Sequence, residues 1–191
     1  MLGAFVETWR GAVLRPFPFF AAMPASLSLG SALLYYLVIG IVGAAIRLFW
    51  TMLLPNPAST LLSDLLGSTV RATPLVDFLA SPLYLVLSLY LAAGVTHLLV
   101  LALVPGHRGF GTTLRIFCFA YSPALLGVVP YLGPIAAFVW MIVLSIIGVR
   151  AAHHTATGRA AAAVLLPLAI AATFMALAMT VLARAAGLLG G

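Results

Sequence analysis

The chain has 191 residues, of which 64% are hydrophobic and only 6% charged, with a mean hydropathy of +1.24. A soluble domain carries about a quarter charged residues, so this composition excludes an ordinary soluble fold and sets the class as an all-α integral membrane protein. The formal charge of +6 comes from nine Arg against Glu7, Asp64 and Asp77. The arginines stand singly near the ends of apolar runs, which fits anchoring at lipid headgroups rather than nucleic-acid binding.

Residues 1–15 lack the form of a signal peptide, with no clean apolar core and no small-residue cleavage site. They carry a helical stripe instead. Leu2, Phe5, Val6, Trp9 and Val13 share one face and Glu7 and Arg10 project from the other. The spacing predicts an amphipathic interfacial segment over 1–24, with Trp9 at headgroup depth or packed on the bundle.

The first span is expected over about 26–46, with Arg47 and Trp50 at its far end. About 20 apolar residues cross a bilayer core of roughly 30 Å. Residues 55–80 are the longest polar stretch. Within it Leu61, Leu62, Leu65 and Leu66 predict a short surface helix, and Leu75, Phe78 and Leu79 a second one after Pro74. The second span is expected over 82–104. The loop PGHRGFGTTLR follows, whose Gly106, Gly109 and Gly111 match no phosphate-binding pattern.

From Ile116 to Val149 no charged residue occurs, and Pro130 and Pro134 mark a turn. This predicts a short hairpin of spans 114–129 and 131–149, the first kinked at Pro123 because proline removes a backbone donor. Sixteen residues make about 24 Å of helix, a little short of a crossing. The pair either spans a locally thin bilayer or forms a re-entrant hairpin. The last span is expected over 160–182, and the whole chain, 1–191, reads as a single membrane domain of about five transmembrane helices.

Arginine count sets the orientation. With five spans, Arg10, Arg15, Arg108, Arg115, Arg150 and Arg159 share one side, and Arg47, Arg71 and Arg184 share the other with Asp64 and Asp77. This puts the N-terminus in the cytoplasm and the C-terminus outside. The six arginines of the first group are the candidate contacts for anionic lipid or for a membrane-protein partner.

Pro123 frees the carbonyl near residue 119, which Ser122 or Tyr121 can satisfy. Tyr121, Ser122, Pro123, Pro130 and Gly133 thus mark either a structural kink or the wall of a groove. Gly40, Gly43 and Ala44, and Ala169, Ala172 and Ala176, permit close helix approach and suggest packing within the chain. His97 is the ionisable residue well inside a span, either a functional group or a donor bridging helices. With His153 and His154 it raises the idea of a zinc site. Adjacent histidines diverge on a helix and no Cys or carboxylate lies near, so no metal or other cofactor is expected. The three acids lie outside the spans, and there is neither an H-E-x-x-H nor a G-x-S-x-G motif. No catalytic residues are expected. Cys118 is the only cysteine and cannot form a disulfide within the chain.

WRGAVLRPFPFF at 9–20, FAYSP at 119–123, PYLG at 130–133 and GVRAAHHTATGRA at 148–160 together resemble the bacterial members of the Yip family, the Ypt-interacting proteins. The resemblance implies a five-span membrane protein. In eukaryotic relatives it implies vesicle trafficking through prenylated GTPases. Those relatives carry a long hydrophilic N-terminal region and an Asp-Leu-Tyr-Gly-Pro motif. Neither occurs here, and DFLASP at 77–82 is only a loose echo, so GTPase binding is not carried over. The reading is a non-enzymatic organiser or adaptor of a bacterial inner membrane, in contact with phospholipid and with other membrane proteins. The alternative is a transporter or channel subunit.

Overall fold

A computed structural model describes residues 2–24, 27–54 and 73–185 of the chain. The secondary structure among the described residues is helical throughout: α1 (Leu2–Leu14), α2 (Pro16–Ala21), α3 (Leu29–Leu53), α4 (Pro74–Leu103), α5 (Phe110–Ala120), a 3-10 segment (Ser122–Val128), α6 (Leu132–Ala152) and α7 (Thr157–Ala185). Four of these, α3, α4, α6 and α7, are long and apolar enough to cross a membrane. The surface helix expected around Leu61 to Leu66, and with it Asp64 and Arg71, lies outside the described residues.

The bundle is built on α3 and α4, with α5 packed against both and the 3-10 segment against α3, while α6 packs on α5 and the 3-10 segment. Its core runs through Ile39, Leu89, Val100, Ile116, Leu144 and Val149, all buried. Close approach needs small residues at three points, one of them Gly148 against Ile116. A Cβ at Gly40 would strike the Leu85 side chain, and one at Gly133 would strike the Leu126 carbonyl. The α3–α4 crossing and the turn between the 3-10 segment and α6 therefore each depend on a missing side chain.

Several boundaries differ from the sequence reading, each for a local reason. Leu75, Phe78 and Leu79 do not form a separate surface helix; they are the first turns of α4. Pro74 opens that helix, where proline's missing N–H costs nothing. Pro82 then lies inside it rather than at its start. The Phe78 carbonyl that Pro82 leaves without a partner accepts a bond from Ser81 Oγ at 2.7 Å.

The segment expected as one helix over 114–129 is broken. It begins earlier, at Phe110, and changes from α to 3-10 geometry after Tyr121. Pro123 at the start of the second part explains the change, since it cannot extend the α ladder. The two parts together still run the length of α3. Gly111 lies against Leu29 at the start of α3, and Trp50 near its end donates from Nε1 to the Val128 carbonyl at 3.2 Å.

The N-terminal helix is docked on this bundle. Trp9 Nε1 donates to the Ser122 carbonyl at 2.9 Å, and Trp140 Nε1 to the Val13 carbonyl at 3.2 Å. Trp9 is thus tied to protein backbone, and the helix is packed on the bundle. Phe5 and Val13 face inward, while Val6, Glu7 and Arg10 are exposed. Helix α7 packs through Ala160, Ala163 and Val164 at its start. Beyond that it stands clear of the bundle, so Ala169, Ala172 and Ala176 are exposed instead of packed within the chain.

Candidate functional site

The break after α5 is stabilised by a polar node. Ser122 Oγ donates to the Phe119 carbonyl at 2.5 Å, the acceptor that Pro123 leaves open. A serine hydroxyl has one proton, so the 2.7 Å contact between Tyr35 and Ser122 Oγ is a bond donated by the tyrosine. Trp9 takes the Ser122 carbonyl from the other side. Aromatic rings enclose the node, with Tyr35 at 5.2 Å between ring centres from both Phe5 and Phe119. An unpaired carbonyl in a bilayer costs several kcal/mol, so this node is what makes the kink tolerable.

Of the five kink residues, Ser122, Pro123 and Gly133 are buried beneath the surface. Tyr121 and Pro130 instead line a half-open groove of about 720 Å³ between α3, α4, the 3-10 segment and α6. Gly40, Gly43, Ala44 and Arg47 form its α3 wall, and Ser81, Tyr84 and Ser88 face them from α4. Arg47 was read from sequence only as the marker of a span end. The signal was there: Gly40, Gly43, Ala44 and Arg47 follow helical spacing, so a cation closes a stripe of small residues.

A second polar cluster sits at the opposite end of the bundle. The Arg108 N–H donates to His153 Nδ1 at 3.1 Å. His153 therefore carries its proton on Nε2, which lies 3.0 Å from Thr113 Oγ1. Thr113 accepts there and donates onward to His97 Nδ1 at 2.9 Å. This assignment follows from the bonding network, which fixes each tautomer in turn. His97 thus bridges α4 to α5, and its ring also meets those of His107 and Phe110, each at 5.5 Å. Thr113, unremarked in the sequence, is the link.

His153 is buried. Its pKa is pushed down to about 4, chiefly by that burial and further by His97, His107, Arg108 and His154 around it. His154 is exposed, with a left-handed backbone at φ 53°, so the two neighbouring histidines point apart. Among the described residues no three His, Cys, Asp or Glu side chains are arranged to hold a metal ion.

The six candidate arginines divide. Arg108 and Arg150 belong to the histidine end, the first through its bond to His153, the second by standing three residues before it. Arg150 lies over the Phe17 ring at 5.2 Å, which brings α2 and nearby Arg15 to the same end. Arg159 opens α7 just beyond. Arg115 follows Thr113 on α5; its Nε is buried without a hydrogen-bond partner. Arg10 is exposed on the helix that Trp9 anchors at Ser122 and has no contact with the histidine cluster among the described residues.

The curated proteins and the solved structures offer no match to this chain. The Yip1 domain matches residues 10–179, a stretch that takes in the end of α1 beyond Trp9, the break at Ser122 and Pro123, both ends of the bundle and most of α7. A helical membrane protein of this plan, matched over most of its length, belongs to the Yip family.

Proposed function

We propose that this Yip family protein is a non-enzymatic organiser of a bacterial inner membrane, and that its basic end gathers anionic phospholipid or a membrane-protein partner. The observation that carries the reading is the grouping of Arg15, Arg108, Arg115, Arg150 and Arg159 around the histidine end, with the Arg115 Nε left without a partner. Each basic residue near an anionic leaflet contributes on the order of 1 kcal/mol. The same reading takes the chain through the membrane five times, beyond the four helices long enough to cross on their own. Helix α5 and the 3-10 segment, of 11 and 7 residues, together reach about 30 Å, enough for the fifth passage. The basic end then lies in the cytoplasm and the C-terminus outside.

Native mass spectrometry of the purified protein tests this. The parent retains phosphatidylglycerol or cardiolipin, and an Arg115→Gln, Arg150→Gln double variant of unchanged topology retains less. Equal retention leaves these arginines with a topological role alone.

A further inference from the structure

We infer that the groove beside the kink is a binding site for one phospholipid, with the lipid phosphate at Arg47 and an acyl chain lying between α3, α4 and α6. The site deepens the lipid-binding reading but sits at the other end of the bundle from the basic cluster, so each can fail alone.

The wall hydroxyls are bonded within the protein. Ser81 Oγ bonds the Phe78 carbonyl, Ser88 Oγ the Leu85 carbonyl and Thr51 Oγ1 the Arg47 carbonyl. Trp50 donates its indole N–H to Val128. Each of these donors is engaged by the protein's own backbone, and the groove lining is mostly apolar. Gly43 leaves room on the α3 side, where a Cβ would meet nothing nearer than Ala124 at 3.8 Å. The volume of about 720 Å³ falls within the range of roughly 300–1,000 Å³ usual for ligand sites.

Polarity returns at one place. Arg47 and Tyr84 both lie within electrostatic reach of Tyr121, and all three line the groove. Arg47 is exposed and makes no ion pair among the described residues. It stands two turns before the end of α3, where a long side chain keeps its charge at headgroup level while its stem follows the apolar wall. A lone guanidinium beside phenolic hydroxyls, at the mouth of an apolar channel, complements a phosphate carried on an acyl chain. Arginine suits phosphate because its fork of N–H groups can donate two parallel bonds.

The test uses the full chain reconstituted in bilayers of phosphatidylethanolamine and phosphatidylglycerol, released and read by native mass spectrometry. Four variants are compared: Arg47→Gln, Gly43→Leu, Ser88→Leu and, for the opposite end, the Arg115→Gln, Arg150→Gln pair. Ser88→Leu guards against misfolding, because Tyr36 still bonds the Leu85 carbonyl. The expected result is that Arg47→Gln and at least one groove-filling variant of parental melting temperature lose one bound phospholipid, about tenfold in retention for the loss of a charge-assisted contact. The arginine pair keeps that lipid. Undiminished retention in Arg47→Gln overturns the site. Loss in Arg47→Gln but not in the groove-filling variants also overturns it, since the lipid then sits on the surface. A dimer mass replacing the lipid adduct gives the groove to a second copy and equally contradicts it.

Discussion

Tyr35 donates a hydrogen bond to Ser122 across 87 positions of sequence, at 2.7 Å, and this bond ties α3 to the point where the α5 segment changes geometry. Ser122 is thereby a hub, since its hydroxyl satisfies Phe119 and its carbonyl holds Trp9. Ser122→Ala removes the side-chain donor to the Phe119 carbonyl and leaves the Tyr35 hydroxyl buried without its acceptor. The expected loss is about 1–3 kcal/mol, with Tyr35→Phe costing less because Ser122 Oγ keeps its bond to the Phe119 carbonyl. Thermal unfolding in detergent reads both. A Ser122→Ala protein as stable as the parent contradicts the role given to the node.

The histidine end makes stability depend on pH. An unfolded histidine titrates near pH 6.5, whereas folded His153 is held at about 4 by burial and by the charges of His97, His107, Arg108 and His154. Between these values the unfolded chain binds the extra proton. The stabilisation is therefore complete above about pH 6.5 and is lost as pH falls toward 4. Melting temperature measured from pH 8 to pH 4 should drop through that window, and the drop should be shallower in His153→Gln. An unchanged slope in the variant removes His153 as the cause.

Gly133 marks the tightest approach in the bundle, its missing side chain directed at the Leu126 carbonyl. Backbone on both sides leaves nothing flexible to yield. Gly133→Ala is expected to cost about 3 kcal/mol or more, at the severe end of overpacking, and to lower the level of folded protein in the membrane. Gly3→Ala, where a Cβ meets nothing, serves as the matched control and should be neutral. Similar yields and melting temperatures for the two variants contradict the packing of this turn.

The membrane class was legible because composition alone forces it, and the kink because a proline in an apolar run must free a carbonyl. Ser122 was named from sequence as a possible partner for that carbonyl; Tyr35 was not, because nothing local links residues 87 apart. Pro82 misled the reading of α4. A proline looks like a boundary unless the preceding serine is recognised as able to take the freed carbonyl. His97 was singled out as an ionisable group in a span, but its partner Thr113 and the distant His153 meet it only through the packing of three elements. Arg47 was visible as a charge and not as the mouth of a groove, since the opposite walls come from α4, the 3-10 segment and α6. The alanines of α7 fit packing by spacing, yet the helix diverges from the bundle before they are reached.

The central claim is that α5 and the 3-10 segment carry the chain through the membrane, so that the basic histidine end and the groove with Arg47 face opposite sides. It is tested most directly by single cysteines in a Cys118→Ala background, labelled in intact cells with a membrane-impermeant maleimide. Val129→Cys sits on the exposed turn before α6, and Gly158→Cys in the exposed first turn of α7, where an added side chain meets nothing. The account predicts that Val129→Cys is labelled from outside and that Gly158→Cys is labelled only after the cells are opened. Labelling of Gly158→Cys in intact cells, or protection of both sites until the cells are opened, contradicts it.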